Sequence, residues 1–177
     1  MWRSFLLHAH EKGRHLQKIE THRKAMPHSP QNVLVVCLGN ICRSPMGEGI
    51  LRRHVQMNGL RIKVDSAGTN GYHNGESPDR RAQQEMRRHG IDISKQSSRK
   101  ILQGDLEKFD LILVMDQSNL RDVLQLAGNR DDWHSKIRMF VDDENVPDPY
   151  YGGADGFNQV YHMLDDAASD WVAEWKG

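Results

Sequence analysis

The sequence predicts an α/β fold: a three-layer, doubly wound, four-stranded parallel sheet with helices on both faces. Two observations carry this reading. Short apolar runs, led by Asn32-Val-Leu-Val-Val36 and Asp110-Leu-Ile-Leu-Val-Met115, alternate with longer stretches of helical periodicity. That is the pattern of strands buried on both faces and joined by covering helices. The length, 177 residues, suits one domain with a well-buried core.

Residues 32–36 are expected to form the first and central strand. A helix follows from Pro45 to about Met57, with Met46, Ile50 and Val55 or Met57 facing inward, and Asn58-Gly59 stops it. The second strand is Arg61 to Asp65. Ser77 then caps a helix whose Pro78 occupies the first turn and which runs to Arg88. Residues 110–115 read as a fully buried third strand. A helix from about Ser118 to Leu126 leads into a mobile loop through Gly128 to Asp132. Lys136 to Val141 is the fourth strand, and an amphipathic helix from Asp155 to about Trp175 closes the domain. Ligands of such sheets bind at the carboxyl ends of the strands, where Cys37, Ser66 and Asp148 gather.

Cys37-Leu-Gly-Asn-Ile-Cys-Arg43-Ser44-Pro45 follows directly on the first apolar run, so a cysteine sits where a buried strand ends and an arginine returns six residues later. This is the arrangement of a thiolate nucleophile inside a phosphate cradle. A dianionic phosphoryl group needs several donors around it while a sulfur attacks its phosphorus. Amides of residues 38 to 44, a helix N-terminus and one guanidinium supply those donors. A free cysteine titrates near ~8.5 and is a poor nucleophile at neutral pH. Loop amides, the helix dipole and Arg43 all favour the ionised sulfur. Arg43 can bind two equatorial oxygens bidentately, and tightens on them in the transition state. Gly39 and Asn40 stand where the backbone must bend around an anion, and Asn40 suits a left-handed conformation.

Val35-Val36-Cys37-Leu-Gly-Asn-Ile-Cys-Arg-Ser-Pro-Met46 resembles the active-site loop of low-molecular-weight protein tyrosine phosphatases. Four further stretches fall in that family's order: Asp65-Ser-Ala-Gly-Thr69, Arg88-His-Gly90, Met115-Asp-Gln-Ser-Asn-Leu120 and Asp148-Pro-Tyr-Tyr-Gly152. The similarity covers about residues 31 to 175. It implies a phosphatase loop at the end of the first strand, with Leu38, Gly39, Asn40, Ile41, Cys42 and Ser44 around the phosphate. It also implies hydrolysis of phosphotyrosine and small aryl phosphates through a cysteinyl-phosphate intermediate, with no metal and no cofactor.

Asp148 is the general acid on this resemblance. The chemistry needs one, because a phenolate leaving group has a conjugate pKa of ~10 and leaves more easily as it takes a proton. The same carboxylate can then activate water against the cysteinyl phosphate. Read without the resemblance, Asp148 is more readily an ordinary member of an acidic loop, with Asp142, Asp143 and Glu144 close by. Tyr72 and Tyr150 are implied to line a specificity crevice, with Tyr151 beside them, and flat rings suit an aryl phosphate. The resemblance further implies that Ser44, Ser66 and His89 pin Asn40, and that Ser44 donates to the departing sulfur. His89 before Gly90 also reads as a helix C-cap. Cys42 has two readings, a small buried apolar side chain or a thiol that traps oxidised Cys37 as a disulfide.

Twenty-four basic and 24 acidic side chains cancel, so no global field favours nucleic acid or a membrane. Residues 1–30 form an N-terminal extension with six Lys/Arg against two acidic residues, or +4, which leaves −4 on the catalytic domain of residues 31–177. The extension holds His8, His10, His15, His22 and His28 without a ligand spacing. Trp2, Phe5, Leu6, Ala9, Leu16 and Ile19 fit a modest amphipathic helix that docks on the domain or a partner. A poorly packed tail, or an upstream start codon, is the other reading, with Met26 to Pro30 as linker. Phe5-Leu-Leu7 is too short for a signal-peptide core, and no transmembrane stretch is evident. A reducing cytoplasm is expected, with phosphotyrosine proteins as substrates, a cognate tyrosine kinase as partner and a monomer or weak dimer as the assembly.

Three alternatives differ at named residues. An arsenate reductase of this fold passes its disulfide to a third cysteine, and this chain has two. A protein-arginine phosphatase is also similar, but that branch carries threonine where Ile41 stands. A phosphopeptide-binding module without turnover has no need of Cys37, Arg43 and Asp148 together.

Overall fold

The computed structural model describes residues 29–142 and 144–177. Its elements are β1 (Asn32–Cys37), α1 (Arg43–Met57), β2 (Lys63–Gly68), α2 (Arg80–Arg88), α3 (Gln103–Lys108), β3 (Leu111–Val114), α4 (Gln117–Ala127), α5 (Asp131–His134), β4 (Ile137–Met139) and α6 (Ala154–Lys176). The four strands are parallel in the order β2-β1-β3-β4. The sheet, its parallel sense and its strand count match the expected fold class. Val35 stands opposite Ser66 on one side and Leu113 on the other.

Alternation along β1 divides the core into two layers. Val33, Val35 and Cys37 pack with Met46, Ile50, Phe140, Leu164 and Trp171 under α1 and α6. Leu34 and Val36 pack with Leu106, Phe109, Val123 and Trp133 under the helices of the other face. β1 from Val33 and all of β3 are buried, which is why both read as unbroken apolar runs. Gly47 lets α1 lie against the sheet, since an added Cβ would stand 2.9 Å from Met115 Cε and 3.0 Å from Val35 Cγ1.

Several boundaries differ from the sequence reading. α1 begins at Arg43, two residues before Pro45, because the loop winds directly into the helix. Met57 is exposed; Met46, Ile50 and Val55 face the core. β2 is displaced towards Gly68, where its partner β1 ends at Cys37. Asp79, not Ser77, caps α2, its side chain accepting from the Arg81 amide. α3 was not anticipated: it holds Gly104, and its apolar content reduces to Leu106. Part of the loop expected at 128–132 is the helical turn α5, anchored by buried Trp133. The expectations for residues 1–28 lie outside the described residues.

Candidate active site

Cys37 ends β1, and the chain then turns through Asn40, whose φ of 56° is the one positive value outside glycine among the described residues. An asparagine tolerates that conformation where a β-branched residue resists it. Three bonds hold its amide. Nδ2 donates to Ser44 Oγ at 2.9 Å and to Ser66 Oγ at 2.9 Å, and Oδ1 accepts from the Arg99 amide at 2.9 Å. Ser98 Oγ adds a bond to the Gly39 carbonyl at 3.0 Å. The amides of Gly39 and of residues 41–44 find no acceptor among the described residues, so they remain for an anion.

Cys37 Sγ lies 3.1 Å from Ser44 Oγ and accepts from the Asn40 amide at 3.3 Å. Arg43 is buried at the start of α1. Its Nη1 donates to Asp116 and, at 3.0 Å, to the Val146 carbonyl; its Nη2 reaches Asp148 Oδ2 at 3.2 Å. Burial opposes the charge, but Cys37, Asp116 and Asp148 outweigh it and raise the Arg43 pKa above its ordinary value. Anchoring Nη1 makes the Nε–Nη2 edge the bidentate one for an oxyanion once Asp148 releases Nη2. Tyr150 N donates to Asp148 Oδ1 at 3.1 Å, so the acidic loop turns back on its own carboxylate.

These groups share one cleft of about 280 Å³. Cys37, Leu38, Gly39, Ile41, Cys42 and Arg43 form its floor; Tyr72, Tyr150, Tyr151 and Asp148 belong to its walls. Tyr150 and Tyr151 meet edge to face with centroids 4.9 Å apart. Burial first, then the charges of Asp79, Cys37 and Asp148, push the Cys42 thiol up, which keeps it protonated and slow to attack. Among the described residues no group of three His, Cys, Asp or Glu side chains could hold a metal, and no helix is long and apolar enough to cross a membrane.

A model of the low molecular weight phosphotyrosine protein phosphatases matches residues 32–176. The chain belongs to that family. It is accordingly an enzyme of the protein-tyrosine-phosphatase type, a hydrolase. The human low molecular weight phosphotyrosine protein phosphatase is 42% identical over 140 residues, which is 75% of this chain and 88% of that protein. The Entamoeba histolytica protein tyrosine phosphatase crystallised with Hepes in its active site superposes with a TM-score of 0.78 at 34% identity, covering 82% of this chain and 97% of that one. Vibrio vulnificus Wzb, solved in complex with benzylphosphonate, gives 0.73 at 28% identity, covering 81% and 97%.

One expected member of this phosphatase site is elsewhere. His89 does not touch Asn40. It is the C-cap residue of α2, its ring stacked on Tyr161 with centroids 3.5 Å apart and its Nε2 3.1 Å from Glu85 Oε1. Asp116, Arg99 and Ser98, which sequence reasoning missed, take part in the loop's support. Asp116 lies in the family-like stretch from Met115 to Leu120, which carried no chemical reading of its own. Arg99 acts through its backbone amide, which no side-chain pattern could reveal.

Proposed function

We propose that this phosphatase hydrolyses phosphotyrosine in proteins, and small aryl phosphates, by a two-step displacement at Cys37. The observation that carries the reading is the single cleft shared by Cys37, Arg43, Asp148 and three tyrosines. Phosphate sits over Sγ, held by the unpaired loop amides and the Nε–Nη2 edge of Arg43. Sγ attacks phosphorus and the P–O bond to the phenol breaks, with Asp148 passing its proton to the leaving oxygen. Asp148, now a carboxylate, takes a proton from water as that water attacks the cysteinyl phosphate. The P–S bond breaks, inorganic phosphate leaves, and the Ser44 hydroxyl donates to the departing sulfur. Asp148 must release Arg43 Nη2 to serve this cycle.

Depth selects the substrate. Tyr72 and Tyr150 line the cleft with Tyr151 beside them, so a phenyl ring reaches Sγ between flat rings while phosphoserine gains less contact. Residues 31–177 are the catalytic domain on this reading. Cys37→Ser is expected to abolish turnover while inorganic phosphate still binds; substantial remaining turnover removes the covalent mechanism. Asp148→Asn is expected to slow a phosphotyrosine peptide more than p-nitrophenyl phosphate, whose leaving group needs no proton. Equal losses would assign the acid elsewhere, and faster wild-type turnover of phosphoarginine than of phosphotyrosine would overturn the substrate.

A further inference from the structure

Glu48 is a buried carboxylate that the reaction above does not use. It stands on α1 beneath the phosphate loop, with 3% of its surface exposed. Ser66 Oγ donates to its Oε2, and Arg52 Nη2 lies 2.9 Å from its Oε1. Ser66 is in turn one of the two hydroxyls that accept from Asn40.

The polarity of this chain is determined from Arg99 as far as the Ser44 oxygen. The Arg99 amide fixes Asn40 Oδ1, so both Nδ2 hydrogens point to Ser44 and Ser66. Each serine oxygen is thereby an acceptor towards Asn40 and has one hydrogen left to give. Ser66 gives its hydrogen to Glu48. Ser44 has two acceptors in reach, Cys37 Sγ at 3.1 Å and the Ala67 carbonyl at 3.2 Å. Exchanging the carboxylate for an amide removes one of its two acceptor oxygens at constant volume. A glutamine would need an acceptor oxygen towards both Ser66 and Arg52, and it has one oxygen.

We infer that Glu48 is a positioning residue for this phosphatase: its two-oxygen acceptor surface orients Ser66 and Asn40 so that Ser44 is held to donate to the Cys37 sulfur. The inference rests on the phosphatase reading. Burial pushes the Glu48 carboxyl up, with Asp65 adding to the rise, against the Ser66 hydrogen bond and the charges of Arg52 and Arg99. Arg52 is the partner most easily removed, since its side chain is more than half exposed.

The test is steady-state hydrolysis of p-nitrophenyl phosphate by the full chain between pH 5 and 8, for wild type, Glu48→Gln, Ser66→Ala, their double variant and Arg52→Met. Glu48→Gln is expected to lower kcat about fivefold, with kcat/KM nearly kept, because the bond to sulfur matters most when sulfur leaves. The double variant is expected to be no slower than the slower single one. A kcat at the wild-type level for Glu48→Gln, or a double loss equal to the product of the single losses, overturns the inference. If Glu48→Gln does not fold, Arg52→Met decides. Without its cation Glu48 protonates at higher pH, so the acid fall in kcat shifts upward, and an unmoved acid limb refutes the role. Wild type that fails to turn over the substrate refutes the phosphatase reading instead.

Discussion

Gly68 offers the sharpest test of how the sheet supports the phosphate loop. It ends β2 beside Cys37, and a Cβ built there would lie 2.7 Å from the Leu38 carbonyl oxygen, 3.0 Å from Gly39 C and 3.1 Å from Asn40 N. All three neighbours are backbone of the loop, so no flexible side chain can yield. Ordinary contact begins at 3.4 Å, which means the loop must retreat by about 0.7 Å. The φ of Gly68 is not among the positive values, so Gly68→Ala tests steric support alone. Overpacking of this kind costs about 1–3 kcal/mol, or a fall in Tm of roughly 2–12 °C for a chain of this size. Displacing a reacting group by most of an ångström costs up to ~100-fold in rate. Calorimetry and p-nitrophenyl phosphate kinetics on Gly68→Ala should therefore show lower stability and kcat/KM lower by about 10- to 100-fold. Gly104→Ala is the control. Nothing lies within 4 Å of its added Cβ, and it should gain roughly 0.5–1 kcal/mol from the α3 backbone. Wild-type activity and Tm in Gly68→Ala would refute the claim that the end of β2 is the floor of the loop.

Asp116→Asn separates two roles of one carboxylate. Its oxygen towards the Asn119 amide keeps capping α4, while an amide now faces Arg43 Nη1. Helix stability should hold and kcat/KM should fall roughly 10- to 100-fold, with weaker inhibition by inorganic phosphate; unchanged phosphate inhibition would mean that Arg43 is held by other groups. Asp79→Ala removes the α2 cap and the carboxylate that orients Arg81, at a cost of about 1 kcal/mol in thermal unfolding. The Arg81 hydrogen bond, opposed by burial, holds the Asp79 carboxyl below its ordinary range. The contribution is therefore complete above the ordinary carboxylate pKa of ~3.9 and is lost as pH falls through the lower folded value. The difference in Tm between wild type and Asp79→Ala should shrink only at strongly acidic pH.

The apolar runs at 32–36 and 110–115 identified β1 and β3 because strands buried on both faces tolerate little else. The spacing of Cys37 and Arg43, with a strand before it, Gly39 and Asn40 within it and a helix after it, identified the cradle because its donors are contiguous in sequence. α3 stayed hidden, since six residues with one buried leucine carry no period. The cap of α2 was misplaced because Ser77 and Asp79 are both competent, and the Ile41 carbonyl that receives the Asp79 amide is distant in sequence. For His89 the local signal, a helix end, held; the contact with Asn40 that the resemblance implied did not, because the packing of α6 against α2 gives its ring to Tyr161.

By itself, the sequence determined the strand-loop-helix unit that joins a sulfur to a guanidinium, because hydrophobic alternation and loop chemistry act between neighbours along the chain. The tertiary structure alone decided what steadies that unit. Asp116, Arg99 and Gly68 reach it from elsewhere in the chain, and contacts between residues far apart in sequence follow from how the sheet is ordered and how closely its layers pack.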